Sequence, residues 1–451
     1  MSASTRGDAL PGQPTTTQQV IPGGPTAFHP RWRWLCMMWL LSWAIYAAYF
    51  QGQWVYGQRP IYHITGDEPH YLVIATSLLR DGDLDVLNNY RDKHYHPFYP
   101  YHLGDARSPE DMHAIYGRGG RLYSKHSLGL PLLLLPAMLA GGHGLAIVFQ
   151  MAVAAVLSVQ TYLLALDATG RRLPALVAWV AVAFTSPLLL YADQIYPEVS
   201  GALLTVIGLR AVLAAIAGSP TRRMALSIGL AVGLLPWLHL RYIPLAAVLT
   251  IAGSIALLGS HPIRAAGESA GHRSISLLPW LLAPPLAAGL ALLAINWHLF
   301  GGVPPVDEYG AVSPLNVLTG APGLLIDRQF GLLTYAPVFL LALYGLALVP
   351  RSAPGLGGWA ILGTFGAYLT FIATFSQWYG AFSPPSRMLV PVIPLLVVPL
   401  ALALQRWQTA RLRLVFLSLL LLSWSISHLL LDVPRLRYNL PNGQSEMLAY
   451  L

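Results

Sequence analysis

Two adjacent carboxylates, Asp67 and Glu68, are the residues of this chain best suited to chemistry. They lie in the sequence TGDEPHY at residues 65–71, shortly after the first long apolar run. A carboxylate at the edge of a bilayer is costly to desolvate, so it is rarely found there without a partner or a task. A positioned carboxylate can take a proton from an attacking hydroxyl group. We therefore predict that Asp67 and Glu68 are catalytic.

A second pair of acids, Asp193 and Glu198, flanks a very short link between two other apolar runs. Asp193 lies in the link, and Glu198 lies at the start of the next run. The entry of a membrane span is an expensive place for a carboxylate. We predict that both residues bind substrate, and the alternative is that they are solvated turn residues.

Four cations are predicted to face the same side of the membrane as these acids: Lys125, Arg241, Arg328 and Arg387. Cations on that side run against the usual charge bias, so they need a cause. Together they could bind an anionic group such as a lipid phosphate. Snorkelling of each side chain to lipid headgroups is the alternative. With His126, which follows Lys125, they complete the predicted substrate-binding set.

Histidines are concentrated in residues 57–143, which contain eight of the fourteen in the chain. His94 and His96, with Asp92 nearby, have a spacing that would place both imidazoles on one side of an extended segment. A stronger metal motif such as His-Glu-x-x-His is absent from the sequence. We therefore predict neither a metal ligand nor a required cofactor. A divalent ion held by the acids above and by loop histidines stays as an alternative.

The composition is that of a membrane protein. Of the 451 residues, 55% are hydrophobic and 10% are charged, whereas a soluble domain carries about 25% charged residues. The net charge of +8 comes from arginines scattered through short links. They form no basic stripe with interleaved aromatic residues, which argues against nucleic-acid binding. The single cysteine, Cys36, excludes an intrachain disulfide and a multi-cysteine metal site.

Apolar runs long enough to cross a hydrocarbon core of roughly 30 Å predict eleven membrane spans. The run 224–259 holds two of them. The run 128–139 is short and contains two prolines, so we interpret it as re-entrant or interfacial. With the amino terminus inside, the arginine-bearing links fall inside, as the positive-inside rule requires. The other nine spans are 33–56, 144–167, 173–191, 198–217, 275–299, 331–349, 358–376, 388–404 and 412–431.

The predicted fold class is therefore an all-α integral membrane protein with one membrane domain, residues 31–431. Residues 1–30 are poor in apolar side chains and predict a disordered cytoplasmic tail. Residues 57–143 form a long first outer loop with interfacial helices, and residues 432–451 form a short outer tail. The acids and the outward cations then lie in one layer, at the outer face of the cell membrane.

One helix of the first outer loop is predicted from Glu68 to Arg80, where apolar residues recur at helical spacing. Such an amphipathic helix is suited to lying in the membrane interface. Asp67 would stand at its start. The alternative to a catalytic role is that Asp67 caps backbone donors of the helix and Glu68 favours its dipole.

At these residues the chain resembles the GT-C glycosyltransferases, polytopic enzymes that use polyprenyl-phosphate-linked sugars. It is similar in particular to bacterial relatives of protein O-mannosyltransferases and of lipid A aminoarabinose transferases. The matching stretches are GDEPHY at 66–71, KHSLGLP at 125–131 and the acidic turn at 193–198. The stretches DRQFGLL at 327–333 and SR at 386–387 are similar to less specific family patterns.

The resemblance implies a fold of about eleven transmembrane helices and assigns roles by position. Asp67 matches the acid that acts as general base, and Lys125 matches a lysine that contacts the lipid phosphate. His126 and Ser127 stand where the aminoarabinose transferases tend to have two prolines. A large carboxy-terminal soluble domain is not expected, which favours a single-sugar donor. The implied activity is inverting transfer of that sugar to an acceptor hydroxyl group of a glycan, lipid or protein.

Two alternatives come from other classes of protein. A transporter or lipid flippase would place ionisable residues near the bilayer midplane and would often show two similar halves. Here the acids are predicted to cluster at one face, and no halves are visible in the sequence. A purely structural membrane subunit would leave the outward acids and cations without a reason.

Overall fold

Within the residues that the structure describes, six helices are long and apolar enough to cross a membrane, by length and composition. This agrees with the predicted class of helical membrane protein, while the number of eleven spans stays a prediction. The computed structural model describes residues 31–55, 64, 66–104, 108–259, 275–302, 310–353, 355–406 and 409–451. Of residues 51–55 it describes the backbone alone. The predicted tail 1–30 lies outside the described residues.

The described residues form helices and one sheet of two strands. Up to residue 217 they are α1 (Trp32–Val55), α2 (Glu68–Arg80), α3 (Leu87–Arg91), β1 (Ala114–Tyr116), β2 (Leu122–Ser124), α4 (Gly129–Thr169), α5 (Arg172–Ala183), α6 (Leu188–Tyr191) and α7 (Pro197–Ala217). Then come α8 (Arg222–Leu238), α9 (Ile243–Leu258), α10 (Leu278–Phe300), α11 (Val317–Ile326), α12 (Leu332–Tyr335), α13 (Phe339–Leu346), α14 (Val349–Ser352), α15 (Leu356–Ala373), α16 (Val397–Arg406), α17 (Ala410–Asp432) and α18 (Glu446–Tyr450).

Three of the predicted spans are interrupted rather than continuous: 173–191, 331–349 and 388–404. A proline stands at two of the breaks, Pro187 between α5 and α6 and Pro337 between α12 and α13. Proline lacks the backbone N–H that continues a helix, and its ring clashes with the preceding turn. The third span opens with 3-10 turns before α16 begins. Residues 388–403 are buried, so this segment runs through the middle of the bundle.

The long helix α4 contains both the short apolar segment 128–139 and the predicted span 144–167. Its backbone leaves helical geometry at Gly141, with φ −160°, and at Gly142, with φ 67°. A positive φ is readily adopted by glycine alone, so this pair allows the change of direction. The break lies between the two predicted pieces.

Helix α2 has the bounds that the sequence predicts, but its position differs from the prediction. Its residues from Glu68 to Ser77 are buried within the protein, instead of lying half-exposed in the membrane interface. The reason is visible in the run YLVIA at residues 71–75, which leaves the helix without a continuous polar face. Pro69 in the first turn is compatible with the helix start. Packing against α4 and α3 therefore encloses the start of α2.

A small hairpin, which the sequence analysis did not predict, lies within residues 57–143. Strands β1 and β2 pair antiparallel, with Ala114 opposite Ser124. The turn between them is rich in glycine, and Gly119 and Gly120 adopt φ of 70° and 71°. The hairpin brings the residues before β1 next to those after β2.

Candidate active site

Arg387 lies at the centre of the candidate site, between two carboxylates. Its Nη2 donates to Asp67 and its Nε donates to Glu198, with 2.7 Å between Nε and Oε1. The side chain of Glu198 is 0% exposed and that of Asp67 is 17% exposed. Charges withdrawn from water in this way need partners. Three of the residues predicted from the sequence are thus in direct contact.

Arg241 contacts Glu198 from the other side. Its Nη2 lies 2.5 Å from Oε1 of Glu198, and its Nη1 lies 3.3 Å from the sulfur of Met388. We call Asp67, Glu198, Arg241 and Arg387 the ion-pair cluster. Two carboxylates and two guanidinium groups carry no net charge together. An anionic ligand would therefore need a further cation nearby to be held strongly.

The backbone around Arg387 is shaped to direct its side chain. Ser386 adopts φ 62°, a left-handed conformation that costs energy for a residue with a side chain, and its N–H donates to the oxygen of Phe330 at 3.0 Å. Arg387 then opens a buried 3-10 turn. Its guanidinium carbon lies 4.3 Å from the ring centroid of Tyr196, a cation–π contact. The strain at Ser386 is thus located next to the central cation.

Asp67 approaches the cluster from the start of α2, and this start depends on Gly66. Gly66 has φ 60°, and a Cβ atom there would lie 2.5 Å from the hydroxyl of Tyr196. The side chain of Asp67 makes no capping hydrogen bond to the helix. The interpretation of Asp67 as a simple N-cap is therefore wrong in this structure. Its carboxylate faces Arg387 and His113 instead.

The side chain of Glu68 has different partners from that of the adjacent Asp67. Its Oε1 accepts a hydrogen bond from the backbone N–H of Ile195 at 2.7 Å, and the residue is buried. A charged acceptor strengthens such a bond. Glu68 thus ties the start of α2 to the turn that precedes α7.

Beside Asp67 lie three histidines, His70, His113 and His126, which we call the histidine stack. His113 Nδ1 is 3.5 Å from Oδ1 of Asp67 and 3.0 Å from Nε2 of His126. The ring of His70 is stacked on that of His113, with centroids 4.1 Å apart. The hairpin explains the meeting, since the N–H of Lys125 donates to the oxygen of His113 at 2.7 Å. Sequence reasoning missed His70 and His113 as site residues. Two short strand-like runs around a glycine-rich turn were the available signal for the hairpin.

His70 is neutral because of its surroundings. Burial lowers its pKa well below the usual value, and His113 and His126 lower it further. Tyr90 donates its hydroxyl proton to the oxygen of Met112 at 2.9 Å and lies 2.6 Å from His70 Nδ1. The contact with Tyr90 holds the ring orientation of His70, and the tautomer of His70 decides which of the two groups donates.

The charge state of Asp67 follows from two opposed effects. Burial raises its pKa, but Arg387, His126 and His113 lower it by more, so that the pKa lies well below the usual value. Asp67 is therefore ionised at physiological pH. While it is paired with Arg387 it is also a weak proton acceptor, because a base needs a pKa near the working pH.

The other predicted residues lie apart from the ion-pair cluster. Asp193 is held by Arg437, and Arg328 is exposed near Gly443. Lys125 is half-buried, and within the described part of the chain its ammonium group forms no ion pair. Arg437 was missed by sequence reasoning. It lies in the predicted outer tail, so the same charge argument that singled out Arg241 could have found it.

Asp67, His113 and His126 could hold a divalent metal ion. One ligand atom from each lies within 4.8 Å of the others. Ligands at 2.0–2.1 Å from a tetrahedral ion are about 3.3 Å apart, close to the 3.0 and 3.5 Å found between His113 and its two neighbours. Two imidazoles and one carboxylate leave a fourth position open, as catalytic zinc sites do.

The alternative metal site around His94 and His96 is not formed among the described residues. Nδ1 of His94 lies 3.1 Å from the amide nitrogen of Asn89. Asp92 pairs with its neighbour Arg91 at 2.8 Å. These residues are therefore separate from the group beside Asp67.

No family model and no curated protein matches the chain significantly. The solved structures that are similar to it include two structures of an oligosaccharyltransferase. One is the archaeal oligosaccharyltransferase AglB from Archaeoglobus fulgidus in complex with an inhibitory peptide and a dolichol-phosphate, at 15% identity and a TM-score of 0.47. The match covers 91% of this chain and 56% of that one.

The other is the Archaeoglobus fulgidus oligosaccharyltransferase in complex with Zn and sulfate, at 15% identity and a TM-score of 0.48. That match covers 88% of this chain and 53% of the other. The chain thus spans little more than half the length of either protein. At this identity the similarity concerns the fold alone.

Proposed function

We propose that this protein is a membrane glycosyltransferase. It moves a monosaccharide from a polyprenyl-phosphate donor to an acceptor hydroxyl group, with inversion, and Asp67 is the general base. The observation that carries this proposal is the contact between Asp67 and Arg387. A carboxylate suited to accept a proton and a cation suited to hold phosphate meet beside the histidine stack, in a bundle of apolar helices.

The proposed topology has eleven crossings of the cell membrane, with the amino terminus inside. The site then lies at the outer face, where α2 and α7 begin. A polyprenyl phosphate keeps its headgroup at that level, because its phosphate is charged and its chain is apolar. The acceptor, which is a glycan, a lipid or a protein, reaches the site from the outside.

An apolar groove is well placed for the polyprenyl chain. It lies between α8, α9 and α10, and its lining includes Pro236, Trp237 and Ile243. Gly129, at the start of α4, packs so closely that a Cβ atom there would lie 2.5 Å from the oxygen of Trp237. Lys125 precedes this contact by only a few residues. The groove is therefore next to the segment that would bind the phosphate.

The leaving phosphate needs positive charge, which the neutral ion-pair cluster cannot supply by itself. Lys125 forms no ion pair among the described residues, so its ammonium group is available as a point charge. His113, whose backbone oxygen accepts from the N–H of Lys125, and the adjacent His126 offer ring N–H donors. Donors preset toward developing charge lower the barrier of the reaction.

The general base becomes effective when Arg387 turns from Asp67 to the donor. A phosphate offers the guanidinium group two oxygens in a geometry that arginine prefers. Release of the pair raises the pKa of Asp67, whose carboxylate can then take the proton of the attacking hydroxyl group. Direct attack on the anomeric carbon, with one base, inverts that centre. Glu68, through its bond to Ile195, holds the start of α2 in place.

A metal-dependent version of the same reaction is favoured by one observation, the gathering of Asp67, His113 and His126. These three residues would hold the ion, which would neutralise charge on the departing phosphate. Zinc and manganese binding to purified protein, measured by calorimetry, tests this version. A wild-type stoichiometry near one that is lost in His113→Ala supports it, and equal binding by both proteins excludes it.

Transport of a lipid without bond cleavage is the alternative. A transporter would need an ionisable site that is open in turn to each side of the membrane. The ion-pair cluster is instead enclosed at one end of the bundle, with Glu198 and both arginines buried.

The deciding experiment measures loss of labelled sugar from synthetic polyprenyl phosphates that carry a hexose or a pentose, with host membranes as acceptors. We expect wild-type protein to release the lipid phosphate from at least one donor. Asp67→Asn should lose activity by about a hundredfold or more, the range typical for a general base. The matched control is Asp111→Asn, an exposed acid of the same loop. Wild-type turnover in Asp67→Asn would remove the base assignment.

A further inference from the structure

A fully buried cation, Arg437, lies outside the ion-pair cluster and has no part in the reaction above. Its Nη2 donates to the backbone oxygen of Leu190 and to Asp193, and its Nη1 lies 3.3 Å from the second carboxylate oxygen. The side chain of Arg437 is 0% exposed. The next residue, Tyr438, donates to Gln194 at 2.7 Å. The tail that follows α17 therefore forms hydrogen bonds to one side of the turn between α6 and α7.

The same turn contacts the proposed site from its other side. The N–H of Ile195 is bound by Glu68, the neighbour of Asp67 in the chain. The ring of Tyr196 lies 4.3 Å from the guanidinium carbon of Arg387. A shift of the turn would move the supports of both members of the central ion pair.

The tail is itself fixed by hydrogen bonds to other parts of the chain. The position of Arg437 is therefore fixed as well. The amide of Asn439 donates to the backbone oxygen of Gln329 at 2.7 Å, and its N–H donates to that of Ser383 at 3.3 Å. The amide of Gln329 donates in return to the oxygen of Leu440 at 2.5 Å. Gln329 and Ser383 belong to the two segments that flank the strained turn before Arg387. The tail thus connects three separate parts of the chain around the site.

We propose that Arg437 is a positioning residue of the active site. It fixes the turn between α6 and α7, and through this turn it fixes Glu68 and Arg387. The inference rests on the proposed glycosyl transfer for its effect on rate, but not for its effect on the turn. Lysine cannot replace Arg437, because one ammonium group cannot span a backbone oxygen and both carboxylate oxygens in a fixed plane.

The first measurement is hydrogen–deuterium exchange of the peptide 188–198 in purified protein. We expect faster exchange in Arg437→Lys and in the milder Tyr438→Phe, which removes the hydroxyl group that donates to Gln194. The matched control is Arg435→Gln, an exposed arginine two residues earlier in the same tail. Unchanged exchange in both Arg437→Lys and Tyr438→Phe would overturn the proposal, because the turn would then be fixed without the tail.

The second measurement is sugar transfer from the donor that serves the wild type, below the melting temperature of each variant. Arg437→Lys should lower kcat by about tenfold, since a displacement of 1 Å can cost about a hundredfold. The KM for the donor should stay within about twofold, because Arg437 does not contact it. Faster exchange with unchanged kcat would contradict the positioning role and leave the proposed function intact. If wild-type protein transfers no sugar, the proposed function fails, and exchange alone decides whether Arg437 fixes the turn.

Discussion

Arg387 donates a hydrogen bond to the carboxylate of Asp67, a residue 320 positions earlier in the chain. The same guanidinium group holds Glu198, which is completely buried. A buried ion pair of this kind is a poor source of net stability, but removal of one partner is expensive. The pair is therefore better explained by a role in the reaction than by a role in folding.

Removal of the central cation should destabilise the protein through the acid that it leaves behind. Arg387→Gln deprives Asp67 of its ion-pair partner, while Glu198 keeps Arg241. We expect the free energy of unfolding to fall by about 3–5 kcal/mol, as for other buried pairs that lose one member. Unfolding in mixed micelles measures this quantity. The double variant Arg387→Gln with Asp67→Asn should recover part of the loss, and purely additive losses would show that the pair is not coupled.

The acids of the site could be predicted from the sequence, because a carboxylate beside an apolar run is conspicuous whatever it contacts. Their partners could not be predicted. Asp67 meets His113 only because a short hairpin turns the chain back, and the strands of that hairpin are too short to give a periodic signal. Asp193 was placed with the site acids by its position, yet its partner is Arg437. That pairing depends on where the tail after α17 lies, which tertiary packing decides.

The fold could be predicted at the level of element type and less well at the level of position. The helix from Glu68 to Arg80 is a local property of its residues, and its bounds were correct. Its burial is not local, because it requires α3 and α4 to cover a surface that the sequence leaves apolar. The interrupted spans also show a local feature that the prediction did not use. Prolines such as Pro187 break a helix where they stand, but the length criterion for spans does not register them.

Substitution of Gly66 should damage the site more than substitution of an equivalent glycine elsewhere. In Gly66→Ala the new Cβ atom meets the hydroxyl of Tyr196 at 2.5 Å, in addition to the strain of φ 60°. Gly82→Ala is the matched control, since Gly82 has φ 72° with nothing within 4 Å of a Cβ atom. The control should lose about 1 kcal/mol of stability from strain alone. Gly66→Ala should lose more and should also lower sugar transfer, and equal losses in both variants would contradict the close approach.

The aromatic ring of Tyr196, and not its hydroxyl group alone, should contribute to stability through its contact with Arg387. The guanidinium carbon lies 4.3 Å from the ring centroid. Tyr196→Leu should reduce stability by about 1–2 kcal/mol beyond the loss in Tyr196→Phe, because a buried cation–π contact has about that value. Thermal unfolding of both variants is the measurement. Equal melting temperatures for the two variants would show that the ring face contributes nothing.

Stability should decrease as the pH falls below about 6.5, because of His70. Burial lowers the pKa of His70 in the folded protein well below its unfolded value. Between those two pKa values the unfolded chain binds a proton that the folded chain does not, so acid favours unfolding. The loss of stability due to His70 is absent above the pKa of the unfolded chain. Below that pKa it grows by at most about 1.4 kcal/mol for each pH unit. Unfolding curves from pH 7.5 to pH 5.5 should therefore be less pH-dependent in His70→Gln than in the wild type, and an unchanged slope would contradict the neutral state of His70.

Neutralisation of Glu198 should lower the stability of the protein and at the same time strengthen its binding of phosphate. One of its oxygens accepts from both arginines, and the other is buried without a hydrogen-bond partner in the described part of the chain. In Glu198→Gln the amide nitrogen would take one of these two positions, and the cluster would gain a net positive charge. We expect a loss of stability of about 3–5 kcal/mol together with tighter binding of a phosphate probe such as farnesyl phosphate, measured by calorimetry. Asp167→Asn is the matched control, because it removes the acid of an arginine pair that is 39% exposed on that side, where the expected loss is below about 1 kcal/mol. Weaker binding of farnesyl phosphate by folded Glu198→Gln would show that the arginines do not face the phosphate.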